Sequence, residues 1–257
     1  MLLAIDVGNT QTHVGVFDSD GLVQHWRCAT EADETSDELA TRIAGLLGLD
    51  EIEVGEVDSS IVASVVPQLT PEYAEMSERY LRGRCLIVGP GLKTGMPIRM
   101  DNPRELGADR LVNAVAAYDR FGEACAVVDF GTAITFDIVS GEGEYLGGVI
   151  GPGVAISMEA LAQRAAKLPP IELGEPLGPA GVIGKSTQAS IQSGIAYGFA
   201  GAIDAIARRV ADELHTDVHF IATGGHARAI VPFCETVSEV DDLLTLTGLR
   251  LIHERNT

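Results

Sequence analysis

The chain has 257 residues, 46% of them apolar and 21% charged, with a formal net charge of −19. That length supports a substantial core and one or two domains, and the apolar-to-charged balance is that of an ordinary globular protein. No apolar run reaches the roughly 18–20 residues that cross a bilayer. No secretory leader is expected, because Met1 runs straight into a strand-like segment without a basic stretch. The negative charge argues against broad binding to nucleic acid phosphates. Only three lysines (Lys93, Lys167, Lys185) stand beside fifteen arginines. A polyanionic ligand would therefore be neutralised mainly by metal ions, backbone N–H groups and a few arginines. Four cysteines (Cys28, Cys85, Cys125, Cys234) lie far apart without a CxxC pair and read as buried thiols of a reducing, cytoplasmic setting.

In chain order, alternation of apolar and polar residues predicts strands over 2–6 and 12–17, with a third over 22–26. A helix with early acidic residues follows over 37–47. A strand over 61–65, a helix over 70–81 after Pro67, and a strand over 86–88 come next. An Ala-rich helix spans 106–118. Strands over 126–130, 133–139 and 145–150 form a second hairpin group. A helix over 154–166 opens after a Gly-Pro-Gly turn, and the longest helix covers 187–214. Its small residues Gly194, Gly198 and Gly201 suggest a helix packed closely against it. A strand over 218–222 completes the series. Strand–helix alternation after each hairpin implies two α/β halves, divided at 1–115 and 116–257 inside the helix near 106–120, with no flexible linker.

The two hairpin groups resemble each other. "LLAIDVGNTQTHVGVFDSDG" (2–21) and "CAVVDFGTAITFDIVSGEGEYLGG" (125–148) both run an apolar strand into Asp-x-Gly, then return through Thr as another strand. Aligned without gaps, Asp6 matches Asp129, Gly8 matches Gly131, Thr12 matches Thr135 and Val16 matches Val139. A carboxylate at a strand end beside a glycine turn suits a metal–phosphate group. Glycine lets backbone N–H groups approach phosphate oxygens closely, and the carboxylate holds a cation directly or through water. Two such turns, one from each half, would grip a nucleotide triphosphate across a central cleft. A third segment, "FIATGGHA" (220–227), is a strand running into a Gly-Gly turn that could lie under a base or ribose.

These three segments, in this order, resemble the two phosphate motifs and the adenosine motif of the actin/hexokinase-like ATPase superfamily. With "DNPRELGADRLVNAVAAY" (101–118), "GGVIGPGVAISMEALAQRAAKLP" (147–169) and "IGKSTQASIQSGIAYG" (183–198), nearly the whole chain is similar to the type III pantothenate kinase family. The resemblance implies an α/β fold of duplicated ribonuclease-H-like (actin-like ATPase) domains. It also implies ATP-dependent phosphorylation of pantothenate to 4′-phosphopantothenate, the first step of coenzyme A biosynthesis. A cytoplasmic homodimer using Mg²⁺ and a monovalent cation (K⁺ or NH₄⁺) is implied as well, with no nucleic acid or membrane partner.

Residue by residue, the resemblance makes Asp109 the catalytic base. Taken alone, Asp109 in "GADR" could equally be an acidic residue favouring the positive end of a helix. The resemblance places ATP on Asp6, Val7, Gly8, Asn9, Thr10, Gln11, Thr12, His13 and Thr132, though the Thr10 and Thr12 hydroxyls could instead serve the hairpin itself. It places pantothenate on Met100, Gly107, Ala108, Asp109, Arg110 and Thr187. Arg110 could instead form a surface salt bridge, and Thr187 a plain helix cap. Asp6 would anchor Mg²⁺ through water, and Asp129 would hold the monovalent cation.

Met100 departs from the pattern: nine residues before Asp109, family members often carry a Tyr whose hydroxyl contacts pantothenate, and Met has no such donor. Two local patterns are set aside. "GPAGVIGKS" (178–186) has five residues between Gly178 and Gly184 where a phosphate-binding P-loop has four. His215 and His219 lie four apart but outside any HExxH motif. Two other readings stay open: a kinase of another small alcohol, and a non-catalytic transcription accessory factor of the same family.

Overall fold

The computed structural model describes residues 1–165 and 181–257. Part of the helix expected over 154–166, Lys167 and the start of the "GPAGVIGKS" stretch lie outside the described residues.

The first sheet grows from a hairpin. β1 (Leu2–Val7) returns as β2 (Gln11–Asp18), which turns into β3 (Gly21–Ala29). The Asp18 carboxylate closes that second turn by accepting from the N–H groups of Asp20 and Gly21 at 2.8 and 3.1 Å. Gly21 takes φ of 128°, which a residue with a Cβ would adopt only under strain. β4 (Ser59–Ser64) and β5 (Arg84–Ile87) join β1 in parallel, through α1 (Ser36–Leu49) and α2 (Leu69–Tyr80). The order is β3-β2-β1-β4-β5. α1 starts at a capping box in which Thr35 and Glu38 satisfy each other's backbone N–H groups. Its apolar residues Leu39, Ile43 and Leu47, four apart, meet Leu3, Ile5 and Val14 in the core.

The second sheet repeats the plan. α3 (Ala108–Phe121) leads into β6 (Cys125–Phe130), β7 (Ala133–Val139) and β8 (Tyr145–Pro152). After α4 (Val154–Arg164) and α5 (Thr187–Leu214) come β9 (His219–Thr223), α6 (Ala227–Ile230) and β10 (Glu239–Val240). The order β10-β9-β6-β7-β8, read from its other edge, is that of the first sheet, with the same strand directions. The duplication is thus one of topology as well as of motif. β10, with only two residues, has no signature in the sequence.

Contacts divide the chain into two units, Met1–Met96 with Asp101–Ala116 and Leu244–Thr257, and Pro97–Met100 with Ala117–Leu243. The division falls inside α3, between Ala116 and Ala117, and each unit also takes a further stretch of chain. An additional helix, α7 (Leu244–Glu254), belongs to the first unit, where it packs on β1, β2 and β4. Its buried side chains are Leu244, Leu246, Leu249 and Ile252. Thr245, Thr247 and Gly248, poor helix formers, hide it in the sequence. Gly248 is needed there, because a Cβ would run into the carbonyl of Val112.

The repeat also differs from its gapless alignment. Asp6 lies opposite His13, and Asp129 opposite Thr135. The second turn is one residue shorter, so His13, not Thr12, is the counterpart of Thr135. Turn length sets hairpin register, and a one-residue slip sends each side chain to the other face. Thr12 accordingly matches buried Ile134. The glycines of α5 differ from expectation too: a Cβ on Gly194, Gly198 or Gly201 would meet nothing within 4 Å, so among the described residues no helix packs closely on them.

All four cysteines are free, with Cys125 buried and its thiol pushed up to about 12 by desolvation. Among the described residues, no helix is long and apolar enough to cross a membrane.

In the second unit Asp204, on α5, ties down the segment before β10. Its carboxylate accepts from the Glu235 N–H at 3.0 Å, the Thr236 N–H at 2.9 Å and the Thr236 hydroxyl at 2.7 Å. Burial raises its pKa, but these bonds outweigh burial and hold it below the usual aspartate value. A depressed carboxyl stabilises the fold above its unfolded pKa, and that contribution disappears as the pH falls through the folded pKa. Asp204→Ala is expected to lose about 3 kcal/mol at neutral pH. The gap from wild type should narrow in acid, which denaturant titrations at pH 7 and pH 3 would measure.

Candidate active site

In the first unit the turn after β1 is shaped by its backbone. The Gly8 N–H donates to the Gln11 carbonyl at 3.0 Å, and a Cβ on Gly8 would come within 2.9 Å of that oxygen. The exposed residues Asn9, Thr10 and Gln11 carry the turn. The Thr10 carbonyl accepts from the Thr30 N–H at 3.0 Å, tying the turn to the end of β3. Asp6 and His13 are half-buried cross-strand neighbours on one face of the sheet, and one carboxylate oxygen of Asp6 is buried. Val7 is fully buried, with its carbonyl accepting from the Val65 N–H. Thr12 is buried too, and its hydroxyl is shared with Thr30 Oγ1 at 2.9 Å. Of the expected run from Asp6 to His13, these two side chains therefore serve the sheet.

Asp109 lies in the first turn of α3, in the same unit. The Arg110 N–H donates to its Oδ1 at 2.8 Å. Burial raises the Asp109 pKa above its ordinary value, against the lowering effect of that bond and of the Arg110 charge. Gly107 forms one wall: a Cβ there would lie 2.5 Å from Asp109 Oδ1. Gly107, Ala108 and Arg110 are all half-buried around this carboxylate. A carboxylate that is accessible yet partly desolvated is suited to taking a proton from an alcohol.

In the second unit Asp129 is the next-to-last residue of β6, paired with Thr135 on one side and with Thr223 on the other. The Gly131 N–H donates to the Ala133 carbonyl at 3.0 Å, closing the turn that carries Thr132. Gly224, at φ of 93°, brings the third segment against Asp129, and any Cβ there would overlap the carboxylate. Gly153 is similarly tight against the carbonyl oxygens of Gly131 and Thr132. The structure thus joins the second and third segments around one carboxylate. Gly153 is a site-forming residue that sequence reading missed, although its Gly-Pro-Gly setting marked the turn.

Thr187 is the exposed first residue of α5. Ser186, not Thr187, caps the helix, accepting from the Ala189 N–H at 3.1 Å. A depression of about 890 Å³ opens here, lined by Lys185, Ser186, Thr187 and Ser190 among others. Met100 is half-buried and belongs to the second unit. His219 stacks on Phe121 with ring centres 4.9 Å apart and meets Glu123 at 3.1 Å. Among the described residues no three His, Cys, Asp or Glu side chains are grouped to hold a metal.

The family model for type III pantothenate kinase matches residues 2–209. The type III pantothenate kinase of Anaeromyxobacter sp. (strain K) is 51% identical over 256 residues, covering all of both chains. That of Myxococcus xanthus is also 51% identical, over all of this chain and 99% of its own. That of Streptomyces avermitilis is 49% identical over all of this chain and 98% of its own. Among solved structures, the activator of the 2-hydroxyisocaproyl-CoA dehydratase from Clostridium difficile with bound ADPNP is similar at a TM-score of 0.57. It is 13% identical and the match covers 99% of this chain and 95% of that one. The ethanolamine utilization protein EutJ from Carboxydothermus hydrogenoformans has a TM-score of 0.58 at 15% identity, covering 97% and 89%. These two likenesses concern the fold.

The contact between Gly107 and Asp109 gives a direct test of the site's geometry. Gly107→Ala is expected to displace the Asp109 carboxylate from the Arg110 N–H while the chain stays folded. In the wild type the Arg110 amide resonance should titrate with Asp109. In the variant that response should shrink, and an unchanged titration would show the carboxylate undisturbed.

Proposed function

This chain belongs to the type III pantothenate kinase family, and from that membership and the site geometry we propose that Asp109 is the base of its reaction. The reaction is the ATP-dependent phosphorylation of pantothenate, in coenzyme A biosynthesis. The observation that carries the proposal is the half-buried Asp109 carboxylate, its pKa raised by burial and its orientation fixed by the Arg110 N–H and the wall at Gly107.

The pantothenate primary hydroxyl donates to Asp109, and its oxygen attacks the γ-phosphorus of ATP. The proton passes to the carboxylate as the new P–O bond forms, and ADP leaves with the electrons of the broken bond. Phosphoryl transfer has a loose transition state, so the base chiefly orients the nucleophile. The raised pKa of Asp109 brings it nearer the range where a base is ionised yet still basic. Pantothenate is assigned to Gly107, Ala108 and Arg110 beside Asp109 and, by the family resemblance, to Met100 and Thr187 of the second unit, Met100 bringing an apolar side chain where a hydroxyl is usual. ATP phosphates are assigned to the turn carried by Asn9, Thr10 and Gln11, flanked by Gly8 and His13, and to Thr132 in the second unit. Val7 and Thr12 support the first turn from inside the sheet.

Both cation assignments fit oxygen-rich surroundings. Asp6 would hold Mg²⁺ through its half-buried carboxylate, consistent with an ion that relies on one or two carboxylates, waters and substrate phosphates. Asp129 would hold the monovalent cation, in a cradle that tolerates only hydrogen at Gly224. Once bound, these ions would supply the positive charge that a chain with three lysines lacks. A homodimer is supported by an apolar groove of about 310 Å³ between β7–β8 and α5, lined by Phe136, Val149, Gly198 and Phe199 among others. Free thiols support a cytoplasmic setting. The charge of −19 disfavours the transcription-factor alternative, and pantothenate-dependent turnover would separate this enzyme from a kinase of another alcohol.

Asp109→Asn is expected to lower kcat by about 10²–10⁴-fold. Because burial raises the Asp109 pKa, the ionised carboxylate costs stability as the pH rises through the unfolded value toward the folded one. The variant should therefore melt at or above the wild-type temperature at neutral pH. ADP release with and without pantothenate, together with a thermal melt, measures both, and near-wild-type turnover would remove Asp109 from its role. The wild-type kcat/KM should also fall in acid at a pH above the ordinary aspartate pKa, about 3.9. Replacing K⁺ by Na⁺ is expected to lower turnover in the wild type and to change little in Asp129→Asn; equal turnover of the wild type in both salts would argue against the cation at Asp129.

A further inference from the structure

Arg42, on α1, reaches the end of β3. Its Nη1 donates to the Ala29 carbonyl at 2.7 Å, and its Nη2 lies 2.6 Å from Glu34 Oε1. Both side chains are largely covered, with 26% and 13% of their surfaces exposed. Ala29 is the last residue of β3, the edge strand of its sheet. A carbonyl in such a place would otherwise face water, and the ends of elements are where a structure opens first.

The Ala29 carbonyl and the Thr30 N–H belong to one peptide group. While Arg42 holds the oxygen, the N–H donates to the Thr10 carbonyl at 3.0 Å. That carbonyl in turn shares a peptide group with the Gln11 N–H. A planar trans peptide points its C=O and N–H in opposite directions. With the Thr10 oxygen turned toward β3, the Gln11 N–H is turned away from β3, into the turn over 8–11. A row of two peptide groups thus runs from the guanidinium to the turn, each with its N–H end facing away from Arg42. Hydrogen bonds in a row polarise one another, and a charged donor at one end strengthens them. The Thr30 hydroxyl is shared separately with that of Thr12 at 2.9 Å. That contact places Thr30, while the Arg42 bond sets the tilt of the 29–30 peptide.

We propose that Arg42 is a positioning residue for the first phosphate turn. Through the 29–30 peptide and the Thr10 carbonyl it aims the Gln11 N–H and raises its partial positive charge, which favours a phosphate oxygen of ATP. The inference rests on the assignment of ATP phosphates to this turn. A guanidinium suits position 42 because its rigid fork of donors serves a carbonyl and a carboxylate at once. The Glu34 carboxylate orients that fork and offsets its charge at longer range, so the row of bonds, and not the bare charge, is what reaches the turn.

Arg42→Met combined with Glu34→Gln tests this in the full-length enzyme, removing the donors without leaving an unpaired carboxylate. ATP KM is expected to rise about three- to tenfold, the effect of one lost hydrogen bond, while kcat and pantothenate KM stay within about twofold. In the nucleotide-free protein the Gln11 amide proton should move upfield. The Thr30 amide should exchange faster, and the amides of 2–5 should exchange as before. Glu34→Gln alone keeps the Ala29 bond and should leave ATP KM within about twofold. An unchanged ATP KM, an unmoved Gln11 resonance, or ATP and pantothenate KM rising together would overturn the proposal. If the double variant does not fold, Arg42→Lys, which keeps a single donor, should show the same changes at smaller size, and their absence counts equally against it. In the wild type, Mg²⁺-ATP should shift the Gln11 amide. If it does not, the phosphate assignment of the turn fails and this inference with it, while pantothenate-dependent ADP release leaves the family activity standing.

Discussion

The register of each sheet's first strand is the constraint on which the site depends. β1 runs between an antiparallel and a parallel neighbour, and Asp6 is held opposite His13 on one side and Ala63 on the other. β6 repeats this with Asp129, Thr135 and Thr223. A strand bonded on both edges cannot slip without turning its core residues to solvent. The apolar faces of β1 and β6 therefore fix where each aspartate ends up. The placement of both turns is a consequence of core packing, and neither relies on a mobile loop to find its place.

Glycine sets the close approaches around these carboxylates. Gly107 leaves room for Asp109, Gly224 for Asp129, and Gly153 for the Gly131 and Thr132 carbonyls. In each case a methyl group would occupy space that a polar atom now holds. Close backbone approach also concentrates N–H and C=O dipoles where charge has to be managed. In a chain with net charge −19 and three lysines, such dipoles and a few arginines are the positive charge that the chain itself can offer an anionic ligand.

Two aspartates show how environment separates role from residue type. Asp204 is wrapped in N–H and O–H donors and held below its usual pKa, so its ionised form steadies the fold. Asp109 is desolvated, and the backbone N–H bonds and Arg110 charge beside it do not offset burial, so its ionised form is costly. The first is held for the fold, while the second carries the desolvated carboxylate on which the proposed role of a base rests. Gly248 of α7 also serves the fold: lacking a Cβ, it leaves room for the Val112 carbonyl beside a helix just beyond which Arg255 and Asn256 reach back to 93–95.

The sequence by itself determined the strand and helix series, the duplication, and the carboxylates at 6, 109 and 129, because period-2 alternation, glycine turns and a repeated Asp-x-Gly are local patterns. Local pattern also supported the resemblance that names the reaction. It did not reveal the one-residue difference between the two turns, which places His13 rather than Thr12 opposite an aspartate and buries the Thr12 hydroxyl against Thr30. Register is a property of paired strands, so one strand's sequence cannot supply it. Nor did it reveal α7, whose threonines and glycine mask a helix that tertiary packing stabilises, or the return of that helix to the first unit. Asn256 and Lys93 lie 163 residues apart, and only the folded chain brings a side-chain amide and a peptide together over that separation. What is periodic along the chain could be read from the chain; what depends on which backbone lies beside which was decided by the tertiary structure.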